Sequence, residues 1–347
     1  MSDILTRKIG QAGHITLTRP KALNALTHPM ALAMEKALDD WAHDPEVKLV
    51  LLDAEGDRAF CAGGDIAEIY HAGRQGDYAL GREFWREEYR LNAKIAEYRK
   101  PIISFLHGFV MGGGVGIGCL GSDRIVCETT QVAMPECGIG LIPDVGGTYR
   151  LAHAAGRMGE YLGLTGHRMG PGDAIYANFA DHYVPQSRWD LLKAELAAGG
   201  GVDIIARHAE QPPAPPLAEH EASVDRLFRH DSVAAIMKAL TDEPGDFAAA
   251  TLKTMRRNSP LSMAVTLALV RGTAAKDSVR AALTHEYRAT WRLLEEGDFL
   301  EGVRAQIIDK DRQPKWQDVA PGAMAARVAE ITAPLGADEL NMEEELK

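Results

Sequence analysis

Pro101-Ile102-Ile103-Ser104-Phe105-Leu106-His107-Gly108-Phe109-Val110-Met111-Gly112-Gly113-Gly114-Val115-Gly116 opens a stretch, residues 101–122, that contains no Asp, Glu, Lys or Arg. An uncharged run of this length invites reading as a membrane span. Its seven glycines and Pro101 argue against one continuous apolar helix. The better reading is a buried strand over Pro101–Leu106, a Gly-rich turn, and a packed helix opened by Gly112-Gly113-Gly114. Similar signals lie on either side. His14–Thr18 reads as a short strand, and Val47–Leu52 as an apolar strand interrupted only by Lys48. Between them, after Arg19-Pro20-Lys21 and a polar turn at Asn24, Thr27 can cap a helix with Pro29 in its first turn. Met30, Met34, Leu38 and Trp41 share one face of that helix. Residues 78–98 are strongly helical, and from Val126 strand, turn and helix alternate again. The alternation predicts an α/β core with crossover connections.

The pattern changes near residue 190. The expected division is a core over 1–198, a Gly/Pro-rich connection over 199–222 and a helical C-terminal region over 223–347, ending in a loose acidic tail from Asp338. At roughly 150 residues per domain, 347 residues suit about two domains. Lys plus Arg number 38 and Asp plus Glu 49, a formal net charge of −11, so nucleic acid and anionic membrane surfaces are poor partners. An apolar fraction of 46% is ordinary for a globular chain. Cys61, Cys119, Cys127 and Cys137 are irregularly spaced and include no CxxC pair, which argues against a disulfide scaffold and a zinc site. A reducing cytoplasm is the expected location. Met1–Gly10 contains Asp3, Arg7 and Lys8 and no apolar run, so no signal peptide is expected there.

Four places could carry chemistry. In Cys61-Ala62-Gly63-Gly64-Asp65 two glycines follow a strand; they make a tight turn with Asp65 as the next helix cap, or they expose backbone N–H groups. Gly112-Gly113-Gly114 at a helix start either allows close packing or presents N–H groups to an oxyanion or phosphate; no Gly-Lys-Ser/Thr follows, so it is not a phosphate loop. Glu136 and Asp144 are carboxylates in an apolar, Gly-rich stretch, where burial raises a carboxylate's pKa and suits acid–base or nucleophilic work. Asp144 can also cap the helix through Tyr149, whereas Glu136 has no capping role. Glu88 shares a helix face with Phe84, Leu91 and Ile95, so it needs a partner, either an Arg or a substrate. His107 reads as a core histidine, and Cys61 and Cys137 as small packing residues.

Arg19-Pro20-Lys21-Ala22-Leu23-Asn24-Ala25-Leu26, Phe60–Asp65, His107-Gly108, Gly112-Gly113-Gly114 and Pro135-Glu136 resemble, in order and spacing, the crotonase (enoyl-CoA hydratase/isomerase) superfamily. The resemblance implies a ββα spiral core with a helical C-terminal region, and an acyl-CoA thioester held by two backbone N–H groups. On this chain those belong to Gly64 and Gly113. It also implies that the Ala62 carbonyl approaches the CoA adenine and that Lys21 meets the CoA phosphates. The departures point to a subgroup. The first of the two hydratase glutamates falls at Gly116, and an acid, Asp144, stands where hydratases usually have glycine. Glu88-Tyr89, Gly116, Pro143-Asp144-Val145-Gly146-Gly147 and, later, Glu286-Tyr287-Arg288, Asp298-Phe299 and Pro314-Lys315-Trp316 resemble the 3-hydroxyisobutyryl-CoA hydrolases.

The subgroup implies that Glu88, Gly113, Glu136 and Asp144 contact the substrate. The expected activity is therefore hydrolysis of a short 3-hydroxyacyl-CoA, 3-hydroxyisobutyryl-CoA in valine breakdown, with a 3-hydroxypropionyl group left open. Gly64 and Gly113 hold the oxyanion, Glu136 attacks the carbonyl or activates a water, and Asp144 orients the hydroxyl or assists water. No metal or separate cofactor is implied, since CoA belongs to the substrate. The family's assemblies vary, which leaves a homo-oligomer open. The rivals are an enoyl-CoA hydratase or isomerase on the same fold, and a non-catalytic acyl-CoA-binding protein.

Overall fold

The uncharged stretch around Phe105 is three elements and not one. In the computed structural model, which describes residues 3–346, it forms the strands Ile102–Leu106 and Phe109–Met111 and the helix Gly113–Gly118. No described helix is long and apolar enough to cross a membrane. Met1 and Ser2 of the N-terminal stretch, and Lys347 of the tail, lie outside the described residues.

Among the described residues, nine strands build two sheets. They are β1 (Ile4–Ile9), β2 (Ala12–Leu17), β3 (Leu49–Ala54), β4 (Ala59–Cys61), β5 (Ile102–Leu106), β6 (Phe109–Met111), β7 (Asp123–Val126), β8 (Gln131–Ala133) and β9 (His182–Tyr183). The large sheet runs β1-β2-β3-β5-β7-β9, and the small one β4-β6-β8. Where these strands pair with one another, β1 and β2 run antiparallel, with Ile4 opposite Leu17, and the other pairs run parallel. The pairs β3/β4, β5/β6 and β7/β8 each place one strand in the large sheet and the next in the small one. A helical segment then leads to the following pair, one position along both sheets. That repeat is the ββα spiral.

β5 is apolar because both faces are covered, as parallel sheets require. Ile103 and Phe105 pack with Leu49, Leu51, Ile125, Trp189 and Leu192, and the Trp189 ring meets Phe105 edge-on at 5.3 Å. The amphipathic helix read from Met30 onward forms as His28–Ala42. The Thr27 hydroxyl accepts from Met30 N at 3.4 Å, and Met30, Met34, Leu38 and Trp41 are buried.

The chain partitions into two compact units, each assembled from three separated stretches. One runs to Asp65, resumes over Glu87–Ala133 and ends with Arg168–Ala218; it contains both sheets. The other takes Ile66–Arg86, Met134–His167 and the chain from Glu219, and is helical. At its centre the helix Pro260–Ala274 buries Leu261, Met263, Val265, Leu267 and Leu269. Ser259 caps it through Ser262 N at 3.0 Å and donates to Asp298 Oδ2 at 2.6 Å. The acidic tail is anchored and not loose: Arg86 Nη1 donates to Glu345 Oε1 at 2.7 Å.

Candidate active site

In the sheet-containing unit the loop before the first long helix is pinned from within. Asn24 is fully buried at φ +53°; its amide donates to the carbonyls of Glu55 and Ala59, both at 2.9 Å, and its Oδ1 accepts from Arg19 N at 2.8 Å. Ala62 N donates to Leu23 O at 3.1 Å, which ties the segment carrying Lys21 to the turn carrying Ala62. Lys21 itself is exposed on the single turn Pro20–Ala22. Asp65 is not the expected helix cap. It pairs with Arg19 Nη2 at 3.1 Å, and the helix Ala67–Gly73 starts without a side-chain cap. A guanidinium in reach competes successfully with a backbone N–H for the same carboxylate.

Gly64 and Gly113 come together. Leu26 N donates to Gly63 O at 2.9 Å and Asp65 N to Leu26 O at 2.8 Å, so this bridge uses the atoms flanking Gly64 and not its own N–H. Gly113 is the first residue of its helix, where an N–H lacks an intrahelical acceptor. A methyl group built on Gly113 would lie 3.3 Å from Gly64 N and 2.8 Å from Glu88 Oε1. The three groups therefore surround one small space. Glu88 is 3% exposed on the helix Ala79–Ala96. The neighbouring glycine differs in kind: a Cβ on Gly114 would meet Cys61 O at 2.2 Å, so Gly114 is a packing residue. Gly116 is buried on the same helix and supplies no side chain.

Glu136 and Asp144 come together in the helical unit. Glu136 starts the turn Glu136–Ile139, is 5% exposed, and its Oε2 has no hydrogen-bond partner among the described residues. Burial first, and then the nearby charges of Asp144 and Glu286, push its carboxyl well above the ordinary range. Asp144 is also buried, and the N–H groups at the start of the following helix are met by a side chain from far along the chain. That role falls to Glu286, a residue the sequence reading did not single out as a site residue. From the helix Val279–Glu296 it accepts from Gly146 N at 2.8 Å and Thr148 N at 2.9 Å, and from the Thr148 hydroxyl. Burial raises the Glu286 carboxyl to about 8, against the opposing pull of these hydrogen bonds. Besides its place in the Glu286-Tyr287-Arg288 motif, the sequence signal is an acid that shares a helix face with the apolar Leu283, Ala289 and Leu293, a pattern shared with Glu88.

Burial pushes the thiols of Cys61 and Cys137 up to about 12, which makes both inert at neutral pH. His107 is held neutral by burial, and its Nε2 lacks a partner among the described residues. Among the described residues no three His, Cys, Asp or Glu side chains cluster as a metal site would need.

The chain matches the enoyl-CoA hydratase/isomerase family over residues 12–330. It is 39% identical over 329 residues to the mitochondrial 3-hydroxyisobutyryl-CoA hydrolase of Danio rerio, covering 91% of this chain and 85% of that protein. The Homo sapiens protein of the same name is 37% identical over 326 residues, covering 91% and 84%. Among solved structures, one described as an enoyl-CoA hydratase from Rhodobacter sphaeroides is 50% identical, with a TM-score of 0.92 over 98% of this chain and all of that one. Another, described as a carnitinyl-CoA dehydratase from Mycobacterium thermoresistibile, is 42% identical, with a TM-score of 0.93 and 99% of each chain covered. The mitochondrial relatives overturn the expected cytoplasmic location; thiol content speaks to redox state and does not separate one reducing compartment from another. With its ββα spiral and its match across most of the chain, the protein belongs to the enoyl-CoA hydratase/isomerase (crotonase) family, in the branch of the 3-hydroxyisobutyryl-CoA hydrolases.

Proposed function

We propose that the protein hydrolyses 3-hydroxyisobutyryl-CoA to 3-hydroxyisobutyrate and CoA, as a step in valine breakdown. The observation that carries this reading is Glu136. It is a buried carboxylate with an unengaged oxygen beside a second acid, on a scaffold that has Gly116 where a hydratase needs its other glutamate. Gly64 and Gly113 N–H groups receive the thioester oxygen as it becomes an oxyanion. Glu136 attacks the carbonyl carbon, the C–S bond breaks, and the thiolate leaves with a proton; water then cleaves the mixed anhydride. In the alternative route Glu136 takes a proton from the water that attacks directly, and the products are the same acid and thiol. Either route needs the ionised carboxylate, and a raised pKa makes that form a stronger base near neutral pH. Asp144 reads the substrate's hydroxyl, Glu88 borders the oxyanion space, and Lys21 and Ala62 serve the CoA end. The chemistry needs no group beyond CoA itself.

A second reading, hydration of an enoyl-CoA, is favoured by the description of the 50%-identical Rhodobacter sphaeroides chain. One assay separates them. Thiol release from 3-hydroxyisobutyryl-CoA with slow loss of crotonyl-CoA absorbance supports the hydrolase; fast crotonyl-CoA hydration with no thiol release refutes it.

A further inference from the structure

The chain after Asp144 is held in an uncommon shape. Gly147 N donates back to Asp144 O at 2.6 Å, and the two residues between them have positive φ, +55° at Val145 and +80° at Gly146. This is the pattern of a type I′ turn, which Asn, Asp and Gly ordinarily supply. Gly146 enters it without strain. Val145 does not, because a β-branched residue rarely adopts the left-handed region. Such a turn persists only where its surroundings hold it. Two of the backbone N–H groups around the turn, those of Gly146 and Thr148, point to the Glu286 carboxyl group, which arrives from 140 residues away and is fully buried. The Thr148 hydroxyl adds a third hydrogen bond. Glu286 lies close enough to Asp144 for the Asp144 charge to raise its own carboxyl, and close enough to Glu136 to do the same there.

We infer that Glu286 is a positioning residue: by accepting from Gly146 N and Thr148 N it holds the strained Asp144–Gly147 turn, and so fixes the Asp144 carboxylate beside Glu136. The role assigned to Asp144 rests on the hydrolase reading above; the clamp on the turn does not. A glutamine at 286 has one acceptor oxygen and an amide that can only donate, so one of the two backbone N–H groups loses its acceptor. Misplacing a reacting group by about an ångström costs on the order of 10²-fold in rate.

The test has two arms. In the first, steady-state CoA release is measured for Glu286→Gln, Asp144→Ala and the double variant. The expectation is a 10- to 100-fold fall in kcat for Glu286→Gln with KM within threefold. The double variant should be no slower than Asp144→Ala alone, because Glu286 acts through Asp144. A merely structural residue would add its loss to that of Asp144. In the second arm, hydrogen exchange at Gly146 and Thr148 is followed without substrate. Glu286→Gln should lose at least tenfold protection there, while Asp144→Ala keeps it. Thr148→Ala, which removes one hydrogen bond and leaves both backbone donors, decides the matter if Glu286→Gln does not fold; it should lower kcat and protection in the same direction by a smaller factor. Absence of CoA release by the unmodified protein refutes the hydrolase reading and leaves the exchange arm to decide on the clamp. Unchanged protection in a folded Glu286→Gln protein, or multiplied losses in the double variant, overturns the inference.

Discussion

Adding one methyl group at Gly113 tests the oxyanion space directly. The Cβ of Gly113→Ala would sit 3.3 Å from Gly64 N, close to where an oxygen accepting from that N–H must lie, and 2.8 Å from Glu88 Oε1. The methyl carbon cannot accept the hydrogen bond and denies the space to the thioester oxygen. Loss of one oxyanion donor costs about 10²–10³ in kcat, or roughly 2.7–4 kcal/mol of transition-state stabilisation. Stability should change little. The close contact is with the end of a side chain that can yield, and alanine is better than glycine in a helix by about 1 kcal/mol. Gly114→Ala is the counterpart, since its Cβ would meet the backbone oxygen of Cys61 at 2.2 Å, and overpacking costs about 1–3 kcal/mol or more. Thiol release with a colorimetric reagent gives kcat, and a thermal melt gives Tm. Gly113→Ala should lose activity and keep its Tm to within about 3 °C, whereas Gly114→Ala should melt clearly earlier. A folded Gly113→Ala protein with kcat within threefold of the unmodified enzyme would refute the assignment of this space to the oxyanion.

Three further outcomes are expected. Glu136→Gln should lower kcat by at least 10²–10⁴ while substrate binding persists, since general-base or nucleophilic work is lost and size is kept; in the unmodified protein kcat should climb with pH through a midpoint above the ordinary carboxylate range, and a flat profile from pH 5 to 8 would contradict it. Isobutyryl-CoA should be hydrolysed at least tenfold more slowly than its 3-hydroxy form, because buried polar groups that meet the hydroxyl are left unpaired without it; Asp144→Gly should narrow the gap, and equal rates in the unmodified protein would sink the role. Glu286 has its carboxyl raised from 4.5 to about 8, so within that window the folded chain holds a proton the unfolded chain has released. Its contribution is full below about pH 4.5 and is lost as pH rises toward 8, by an amount on the order of a few kcal/mol. Equilibrium unfolding at pH 5 and pH 8 should show a smaller difference for Glu286→Gln than for the unmodified chain.

Much of the architecture was legible in the chain itself. Apolar runs such as Ile102–Leu106 report strands covered on both faces, and Met30, Met34, Leu38 and Trp41 report one buried helix face, because burial patterns repeat with the local geometry. The hairpin strand Ile4–Ile9 does not stand out: Ile4 is buried, Arg7 is half-buried, and its other residues are exposed at a sheet edge. Glu136 and Asp144 stand out as acids in an apolar, Gly-rich stretch, whereas Gly64 and Gly113 are picked out of their glycine-rich turns only by the resemblance to the crotonase family.

Partners chosen from far along the chain were not legible. Asp65 and Asp144 both have the identity and place of helix caps. Yet Arg19 takes Asp65, and Glu286 reaches the N–H groups of the helix after Asp144. Capping propensity is a local preference, and the competing donor or acceptor here is set by tertiary packing. The same holds for the pKa of Glu136. Its sequence places it among apolar neighbours, but the like charges that raise it further come from Asp144 and from Glu286, the latter on a helix at the other end of the chain. Sequence alone therefore determined the alternation of strands and helices and the residue types offered to the candidate site. The fold decided which carboxylate caps, which one stays unengaged, and which strained turn is held, because desolvation and hydrogen-bond competition depend on three-dimensional neighbours and not on spacing along the chain.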